Sequence, residues 1–418
     1  MFRYTDIRKE DRVVMESIAG EMKRQEEGLE MIASENYASK AVMEALGTVF
    51  TNKYSEGYPG RRYYGGQEFT DIVETIAIER AKKLFGADHA NVQPLSGAAA
   101  NMAAYAALLV PGDTVLGMDL SHGGHLTHGH PVTFPASIFR FVRYRTEADG
   151  TIDYRKLGEL AREEKPKLLL AGFSSYTREI DYRKFTAIGK KIGAVTMMDM
   201  AHIAGLVAGK ALPNPVEFFD VVTTTTHKTL RGPRGGMILC REPFAKAIDK
   251  AVFPGVQGGP HMNVIAAKAV AFGEALRPSF KKYAAHVLEN ARVLEEAFRA
   301  HGFHLLFGGT ENHMILVDVW STLGISGKEA ETLLDSIGIT VNKNIIPDDS
   351  RSAVDPSGIR IGVPAVTTRG MRSREMRLIA KWMDGALRSK GDASILRPLN
   401  AEVKALCKKF PLYRSSSS

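Results

Sequence analysis

The sequence predicts an α/β protein with an N-terminal helical arm, a large domain built on a mostly parallel seven-stranded sheet, and a smaller C-terminal α/β domain. Two observations predict this fold. Short apolar or β-branched runs recur along the chain, most of them separated by amphipathic helical patterns, and after residue 260 the pattern changes to long helices. Strands that alternate with helices form βαβ units, which pack as largely parallel sheets. A chain of 418 residues also exceeds what one hydrophobic core usually organises, so we expect two domains.

The arm is predicted over residues 1–30 and the large domain over residues 31–279. Apolar residues recur at helical spacing within residues 10–32, which is typical of an amphipathic helix. The strands predicted for the large domain are residues 90–95, 114–120, 139–144, 168–173, 195–200, 221–226 and 236–240. Helical patterns such as residues 154–164 and 182–192 lie between them.

The smaller domain is predicted over residues 280–418. Two long helical segments precede its strands: residues 264–276, which end the large domain, and residues 280–300, which begin the smaller one. Predicted strands at residues 314–319, 339–343 and 358–363 then alternate with predicted helices at residues 328–336 and 372–387. The serine run at residues 415–418 has low complexity and carries no structural prediction.

Composition and charge exclude several classes of protein. Lys and Arg number 55 against 47 Asp and Glu, and this net charge of +8 favours anionic ligands. The basic residues are interspersed with acidic ones, so nucleic-acid binding is not expected. Two cysteines, Cys240 and Cys407, are too few for a disulfide framework and lack metal-ligand spacing. A charged N-terminus and a longest apolar run of only residues 98–110 predict a cytoplasmic protein without a membrane span.

The segment VVTTTTHKTLRGPRGG, residues 221–236, places His227 and Lys228 at the end of a β-branched strand. Open α/β sheets bind their ligands at such strand ends. A lone lysine after a strand is usually an ordinary exposed residue. Here hydroxyl groups, a histidine and Arg234 crowd the same turn, and such surroundings disfavour the ammonium form. The sequence therefore predicts a lysine suited to Schiff-base chemistry.

A second strand, in MMDMAHIAGL, ends in Asp199, and His202 follows three residues later. A carboxylate there could bind a metal, a ribose or a pyridinium nitrogen, or could cap a helix. In PLSGAAANMAAYAALL, Ser96 and Gly97 precede an alanine-rich helix. A helix N-terminus with a small residue suits a phosphate, although a plain serine cap is common.

The run YSEGYPGRRYYGG, residues 54–66, holds four tyrosines, Glu56 and two arginines between glycines. It is too polar for a core strand and too aromatic for a loop that only connects two elements. This favours a binding loop over a surface loop anchored by aromatics. The stretch HGGHLTHGH, residues 122–130, superficially suggests a metal site. The stretch itself contains no carboxylate or cysteine, so we expect no metal there, and a histidine packed on a flat ring is as plausible.

Seven strings of the sequence together resemble the serine hydroxymethyltransferase family of fold-type I pyridoxal-phosphate enzymes. They are LEMIASENYAS, TNKYSEGYPGRRYYGG, LSHGGHLTHG, DMAHIAGL, TTTTHKTLRGPRGG, FPGVQGGP and SGIRIGVPA, in that family's order. The resemblance covers nearly the whole chain and implies the aspartate-aminotransferase-like fold. It also implies transfer of the serine hydroxymethyl carbon to tetrahydrofolate, giving glycine and 5,10-methylenetetrahydrofolate, with pyridoxal 5'-phosphate as cofactor.

The resemblance implies that Lys228 carries the cofactor, that Asp199 keeps its pyridine nitrogen protonated, and that His125 stacks on its ring. The catalytic residues it implies are Lys228, Glu56, Asp199, His125, Tyr64 and Thr225. The cofactor-binding residues it implies are Ser96, Gly97, His125, Ser174, Asp199, His202, His227 and Lys228, with Tyr54 and Gly258 from a second copy of the chain. The assembly would be a homodimer, or a tetramer, with shared active sites.

For the substrates, the resemblance implies that Arg360, helped by Ser34, binds the carboxylate of serine or glycine. Glu56 would act as general acid and base between the hydroxymethyl group and the folate. The residues implied to contact serine or the folate are Ser34, Arg360, Glu56, Tyr63, Tyr64, Leu120, Gly124, Leu126 and Asn344.

Two positions depart from the family pattern. Ala98 stands where many members have a hydroxyl residue, and a lost hydrogen bond to a charged group is worth about 1.5 to 3 kcal/mol, which predicts weaker cofactor binding unless another donor compensates. Residues 352–354 read Ser-Ala-Val instead of Ser-Pro-Phe, which bears on the pterin contacts.

Two other functions compete with this interpretation. A threonine aldolase would use the same cofactor without folate, and the tyrosine-rich run argues against it. A non-catalytic regulatory or RNA-binding protein derived from the enzyme is disfavoured by the presence of Lys228, Asp199, Glu56 and Arg360.

Overall fold

The computed structural model describes residues 4–413, so the serine run at residues 415–418 lies outside the described part of the chain. The strands of that part are β1 Leu29–Glu30, β2 Gly57–Tyr58, β3 Arg61–Arg62, β4 His89–Asn91, β5 Thr114–Met118, β6 Arg140–Tyr144, β7 Leu168–Gly172, β8 Val195–Asp199, β9 Val221–Thr225, β10 Gly236–Cys240, β11 His304–Leu305, β12 Met314–Asp318, β13 Ile339–Thr340, β14 Asn342–Asn344 and β15 Gly358–Gly362.

The α-helices of the same residues run from the N-terminal arm to the C-terminus. They are α1 Thr5–Glu10, α2 Arg12–Glu27, α3 Lys40–Leu46, α4 Glu68–Phe85, α5 Gly97–Leu108, α6 Phe134–Ile138, α7 Tyr154–Glu164, α8 Tyr182–Ile192, α9 Ala204–Ala208, α10 Glu242–Lys250, α11 Met262–Ala275, α12 Pro278–Ala300, α13 Val319–Leu323, α14 Gly327–Ser336, α15 Pro364–Thr368, α16 Ser373–Arg388 and α17 Ala393–Lys409. Within the described residues no helix is both long and apolar enough to cross a membrane.

The predicted mostly parallel sheet of seven strands is confirmed. Its strand order is β4-β10-β9-β8-β7-β5-β6, and only β10 runs antiparallel to its neighbours. Strands β7 and β9 are buried along their whole length, as expected for a sheet covered by helices on both faces. Because β5, β7, β8 and β9 run parallel, their carboxyl ends open on one edge, where several of the predicted site residues lie.

A second sheet, β11-β12-β15-β14, belongs to the C-terminal part of the chain and is antiparallel throughout. Helices α12 and α14 pack against it, and α16 packs on these two helices. The strand predicted over residues 339–343 is divided, because β13 pairs in parallel with β1 while β14 pairs with β15. Helices α4 and α17 were not predicted, and neither were the two-residue strands β1, β2, β3 and β11.

The N-terminal arm consists of two helices. Asp11 interrupts it, because its side chain accepts a hydrogen bond from the backbone N–H of Val14 and so caps the start of α2. Helix α2 ends at Gly28, and the chain continues into β1. Arg369, which follows α15, connects this end of the arm to the C-terminal part of the chain. Its guanidinium donates hydrogen bonds to the carbonyls of Gln25 and Gly28 at 3.1 and 2.7 Å. The domain boundaries themselves remain predictions.

Candidate active site

A pocket of about 330 Å³ lies at the carboxyl ends of the parallel strands, where such sheets bind ligands. Several residues predicted for catalysis or cofactor binding line it together. The lining residues are Ser34, Glu35, Ser96, Gly97, Ala98, His125, Phe173, Asp199, Ala201, His202, Thr225, His227, Lys228 and Arg234. We call it the Lys228 pocket.

Lys228 lies three residues beyond β9 and is 9% exposed. Its carbonyl accepts a 3.0 Å hydrogen bond from Nδ2 of Asn36, which fixes the backbone below the side chain. Burial lowers the pKa of Lys228 to about 8; the Asp199 carboxylate raises it and the charges of Arg360 and Arg234 lower it further. Part of the amine is therefore unprotonated near neutral pH, which a nucleophilic lysine requires.

Asp199 is the last residue of β8, and its carboxylate receives three hydrogen bonds. The backbone N–H of Ala201 donates to Oδ1 at 3.0 Å, and the side chains of Asn101 and His128 donate to Oδ2 at 2.8 and 3.2 Å. Burial raises the pKa of Asp199, but the hydrogen bonds and nearby histidines outweigh it and hold the pKa well below its ordinary value. Helix α9 begins after Ile203, so Asp199 is not its cap.

Two of these donors, Asn101 and His128, were not predicted. Asn101 is the one amide in the alanine-rich helix α5, a signal that sequence reasoning could have used. Its Oδ1 accepts a 2.6 Å hydrogen bond from the hydroxyl of Thr223, which orients the amide. Nδ1 of His128 accepts from the backbone N–H of His125, so Nε2 carries the proton that is donated to Asp199.

His125 lies in the loop that follows β5 and lines the pocket. Its Nδ1 lies 2.8 Å from the hydroxyl of Thr127, and burial, followed by the charge of His128, lowers the pKa of His125 to about 4. One nitrogen each of His125 and His128 and an oxygen of Asp199 lie within 4.8 Å of one another. The His128–Asp199 hydrogen bond uses two of these atoms, and the expected absence of a metal here remains a prediction.

Ser96 and Gly97 form the N-terminus of α5, whose first N–H groups lack partners within the helix. Ser96 accepts a 3.1 Å hydrogen bond from the N–H of Ala99. A Cβ at Gly97 would lie 2.7 Å from Cγ2 of Thr225, so only glycine allows this contact. Nδ1 of His227 is buried without a hydrogen-bond partner among the described residues, and burial and then Arg234 lower the pKa of His227 to about 3. These groups suit an anion that brings its own acceptor oxygens.

His202 is neutral and paired with a histidine that sequence reasoning missed. Its Nδ1 lies 3.2 Å from Nε2 of His313, and the two rings are stacked at 5.4 Å. Burial, then the charges of Lys228 and Arg360, hold the pKa of His202 far below its ordinary value. The pairing fixes the ring orientation of His202 in the pocket.

Arg360, in β15, is not among the residues that line the pocket, but it lies close enough for its charge to lower the pKa of Lys228. Its Nε donates to Oδ1 of Asn342 at 3.1 Å and its Nη1 to the carbonyl of Ser174 at 2.5 Å. Burial lowers the pKa of Arg360 to about 10, and no carboxylate of the described residues forms an ion pair with it. A buried cation without a counter-ion is costly, so this position favours binding of an anion.

Four of the residues expected around the folate, Leu120, Gly124, Leu126 and Asn344, lie on two segments outside the tyrosine-rich run. Leu120 and Leu126 begin short 3₁₀ turns after β5, and Leu126 is exposed. The carbonyl of Gly124 accepts a 2.6 Å hydrogen bond from the hydroxyl of Ser174. Asn344 ends β14, beside the strand that carries Arg360.

The tyrosine loop, residues 54–66, does not line the Lys228 pocket of its own chain. Tyr54, Tyr63 and Tyr64 are exposed. The rings of Tyr54 and Tyr64 lie 5.4 Å apart, and the neighbouring Glu56 carboxylate raises the pKa of Tyr64. The structure thus gathers these residues with one another, separately from Lys228.

Gly258 lies with the tyrosine loop. A Cβ at Gly258 would lie 3.6 Å from Oε1 of Glu56, and one at Gly259 would lie 3.0 Å from Cε1 of Tyr54. The three residues expected to serve the site of another copy, Tyr54, Glu56 and Gly258, therefore form one surface.

Arg62 fixes the backbone on both sides of Glu56. Its Nη1 donates to the carbonyls of Ser55 and Gly57 at 2.9 and 3.0 Å, and its Nη2 donates to Glu74 at 2.6 Å. Burial raises the pKa of Glu74, against the charge of Arg62. Gly57 has φ 93°, and a Cβ there would lie 2.3 Å from the carbonyl oxygen of Arg61, so the turn requires glycine.

The sequence profile described as serine hydroxymethyltransferase matches residues 7–383 of the 418. The match spans the arm, the large sheet and the strand that carries Arg360. The chain belongs to the serine hydroxymethyltransferase family.

Proposed function

We propose that this chain catalyses reversible transfer of the serine hydroxymethyl carbon to tetrahydrofolate, giving glycine and 5,10-methylenetetrahydrofolate, with pyridoxal 5'-phosphate as cofactor. One observation carries the proposal. Lys228 is largely buried, has a pKa of about 8 and lines the same pocket as the ionised Asp199. Arg360 lies near it and is a buried cation that forms no ion pair with a carboxylate of the described residues. An amine, a carboxylate for a pyridinium nitrogen and a site for an amino-acid carboxylate are the groups that this chemistry needs.

The residues present fit the proposed cofactor. Lys228 would bind its aldehyde carbon, and Asp199 would hold a proton on its ring nitrogen. The unpartnered Nδ1 of His227 and the free N–H groups at Ser96 and Gly97 would receive its phosphate. When bound, the cofactor supplies an electron sink for cleavage of the Cα–Cβ bond.

The remaining cofactor contacts are supported by position. His125 would pack on the ring face, and Thr225, at the end of β9, would line the ring edge. Ser174 and His202 would lie near its phenolic oxygen. His125 and His202 are both neutral because burial lowers the pKa of each, so neither adds a repelling charge beside Lys228.

Arg360 would bind the substrate carboxylate, helped by the hydroxyl of Ser34. Nε and Nη1 of Arg360 are held by Asn342 and Ser174, which aims the guanidinium without neutralising it. A planar guanidinium binds a carboxylate through two parallel hydrogen bonds, which also orients the amino acid.

Glu56 would move protons between the hydroxymethyl oxygen and the folate, with Tyr64 beside it. The folate would lie against Tyr63, Tyr64, Leu120, Gly124, Leu126 and Asn344. Arg62 holds the carbonyls before and after Glu56, so the carboxyl group would be presented from a fixed backbone.

We further propose that the active unit is at least a homodimer in which the tyrosine loop of one chain completes the Lys228 pocket of another. The separation of Tyr54 and Glu56 from their own pocket supports this, as does an apolar surface beside them. Phe69, Ile72 and Ile76 lie along one face of α4 and are exposed. Contiguous exposed apolar residues mark interaction surfaces. A cytoplasmic location remains the prediction from the sequence.

An assay of serine cleavage with and without tetrahydrofolate tests the proposal. Cleavage that requires tetrahydrofolate supports it. Cleavage of β-hydroxy amino acids at the same rate without folate would favour an aldolase instead. A purified protein that is colourless and stays so after incubation with pyridoxal phosphate would contradict both enzymatic functions and favour the non-catalytic alternative.

A further inference from the structure

The ammonium group of Lys268 is buried beneath the segment that leads into α5. Lys268 belongs to α11 and is 1% exposed. Its Nζ donates to the carbonyls of Val92, Pro94 and Gly236 at 2.6, 3.0 and 2.8 Å. These bonds use all three donors of an ammonium group. The cation is therefore held by backbone carbonyls, and no carboxylate of residues 4–413 is hydrogen-bonded to it.

The three carbonyls belong to two segments that meet at the phosphate end of the pocket. Residues 92–95 connect β4 to the cap residue Ser96, and Gly236 begins β10 after the turn that carries His227 and Lys228. The carbonyl of Pro94 also accepts a 2.9 Å hydrogen bond from the N–H of Gly236. Lys268 thus joins the two segments that present the groups expected to bind the phosphate.

The packing around the ammonium leaves little room for the segments to shift. A Cβ at Gly235 would lie 2.6 Å from Cε of Lys268, and one at Gly236 would lie 2.2 Å from the carbonyl oxygen of Ser96. Gln257 also holds this segment, through hydrogen bonds to the backbone of residues 93 and 95. Its Oε1 accepts from the N–H of Leu95 at 2.9 Å and its Nε2 donates to the carbonyl of residue 93 at 3.2 Å.

Stability alone does not account for a lysine at this position. A buried charge loses its hydration, and an apolar side chain of similar volume is often neutral or stabilising in its place. The neighbouring helix gives a functional reason. Ala98 offers no hydroxyl to an anion, so a phosphate there depends on backbone N–H groups of the first turn of α5. Their position depends on residues 92–96.

We propose that Lys268 is a positioning residue for the cofactor phosphate, fixing the backbone of residues 92–97 against the turn after Lys228. The proposal rests on the proposed function, because it assumes that pyridoxal phosphate binds in the Lys228 pocket. Lys268 does not touch the phosphate; it acts through the peptide groups that do.

The test compares the wild type, Lys268→Met and Asn290→Leu. Asn290 is a buried side chain that donates two hydrogen bonds, to Thr367 and Met371, and neither partner lies on residues 92–97. Pyridoxal phosphate is titrated into each cofactor-free full-length protein to obtain its dissociation constant. Visible circular dichroism is recorded at saturation, and hydrogen exchange of residues 92–100 is measured before the cofactor is added.

Lys268→Met is expected to weaken pyridoxal phosphate binding about ten- to a hundredfold, the effect of losing a hydrogen bond to a charged group. Exchange at residues 92–100 should become faster, and the visible circular dichroism of the bound cofactor should decrease. In Asn290→Leu the dissociation constant, the exchange rates of residues 92–100 and the visible circular dichroism should all stay within about threefold of the wild-type values. The hydrogen bonds that this variant loses do not involve residues 92–97. A Lys268→Met protein that binds pyridoxal phosphate as the wild type does, with unchanged exchange, would overturn the proposal.

If Lys268→Met does not fold, Gly235→Ala decides the question. The added methyl group would displace the end of Lys268 while keeping its charge, and should weaken cofactor binding in a folded protein. Unchanged affinity in that variant would reject the positioning role. A wild type that fails to bind pyridoxal phosphate would instead overturn the proposed function, and this inference with it.

Discussion

Nδ2 of Asn101 lies 2.8 Å from Oδ2 of Asp199, although 98 residues separate the two in sequence. The amide is oriented by Thr223, which donates to its oxygen. Replacing Asn101 by Leu removes one of three hydrogen bonds to the carboxylate, and a hydrogen bond to a charged group is worth about 1.5 to 3 kcal/mol. We expect kcat for folate-dependent serine cleavage to fall about tenfold or more, measured at saturating cofactor.

The matched control is Asn290→Leu, which removes an equally buried amide from a site far along the chain. Both variants should unfold at a lower urea concentration than the wild type. Only Asn101→Leu should lose kcat. Equal losses of kcat would show that reduced stability, and not the state of Asp199, limits the enzyme.

The strands that carry the site could be predicted, because the pattern that indicates a strand lies within a few consecutive residues. Most of the seven strands coincide with a short apolar or β-branched run, although β4 overlaps its predicted run, residues 90–95, at only two residues. The side chains that follow Val195–Asp199 and Val221–Thr225 must meet at one edge of a parallel sheet. The partners of those side chains could not be predicted in the same way. His128 and His313 approach Asp199 and His202 only through tertiary packing, which no local pattern encodes. Asn101 differs from them, because a single amide in an alanine-rich helix is a local signal.

The same distinction explains the divided strand at residues 339–343. Its β-branched pattern is local, but its partner strands are distant: β13 pairs with β1 at the start of the chain, and β14 pairs with β15. Helix α17 has an internal Pro398, which weakens the helical pattern there. Sequence periodicity alone therefore missed it.

Lys228 should give the cofactor-free protein a characteristic pH dependence of stability. Its pKa of about 8 lies below the value near 10.4 of an unfolded lysine, so the unfolded state binds more protons between those pH values. The free energy of unfolding should therefore rise with pH across that window. Lys228→Met lacks this contribution and should be more stable than the wild type at pH 7, by on the order of 3 kcal/mol at most.

Urea unfolding of both cofactor-free proteins at pH 7 and pH 10.5 measures this effect. Lys268 titrates in both proteins, so its contribution cancels in the difference between them. A difference in unfolding free energy that does not change between the two pH values would show that the pKa of Lys228 is not lowered by burial.

Arg360→Lys should raise KM for serine while leaving pyridoxal phosphate binding nearly unchanged. A lysine keeps the charge but cannot form two parallel hydrogen bonds with a carboxylate. The expected loss in kcat/KM is about ten- to a hundredfold. Arg351→Lys is the control, because Arg351 stacks on Trp320 in the C-terminal part of the chain. A normal KM for serine in Arg360→Lys would mean that another group binds the carboxylate.

Glu56→Gln should nearly eliminate folate-dependent serine cleavage while glycine still binds. A positioned acid or base contributes about a hundred- to ten-thousandfold to a rate, and glutamine keeps the size of the side chain without its proton chemistry. The measurements are the initial rate with tetrahydrofolate and the spectral change on adding glycine. An undiminished rate would remove Glu56 from the mechanism.

Mixing two inactive variants tests whether active sites are shared between chains. Tyr54 and Glu56 lie together with Gly258, and none of them lines the Lys228 pocket of its own chain. If Glu56 serves the pocket of a second copy, a hybrid of Lys228→Ala and Glu56→Gln chains has one site with both changes and one native site. Random exchange makes about half the dimers hybrid, so activity should return to about a quarter of the wild-type level.

The expected recovery depends on subunit exchange, so exchange must be measured separately, for example with two differently labelled chains. If Glu56 and Lys228 act within one chain, every site in the mixture keeps one of the two changes, and no activity can return. Continued inactivity despite complete exchange would therefore contradict the shared site. It would mean that the tyrosine loop reaches its own pocket by moving, or that Glu56 takes no part in the reaction.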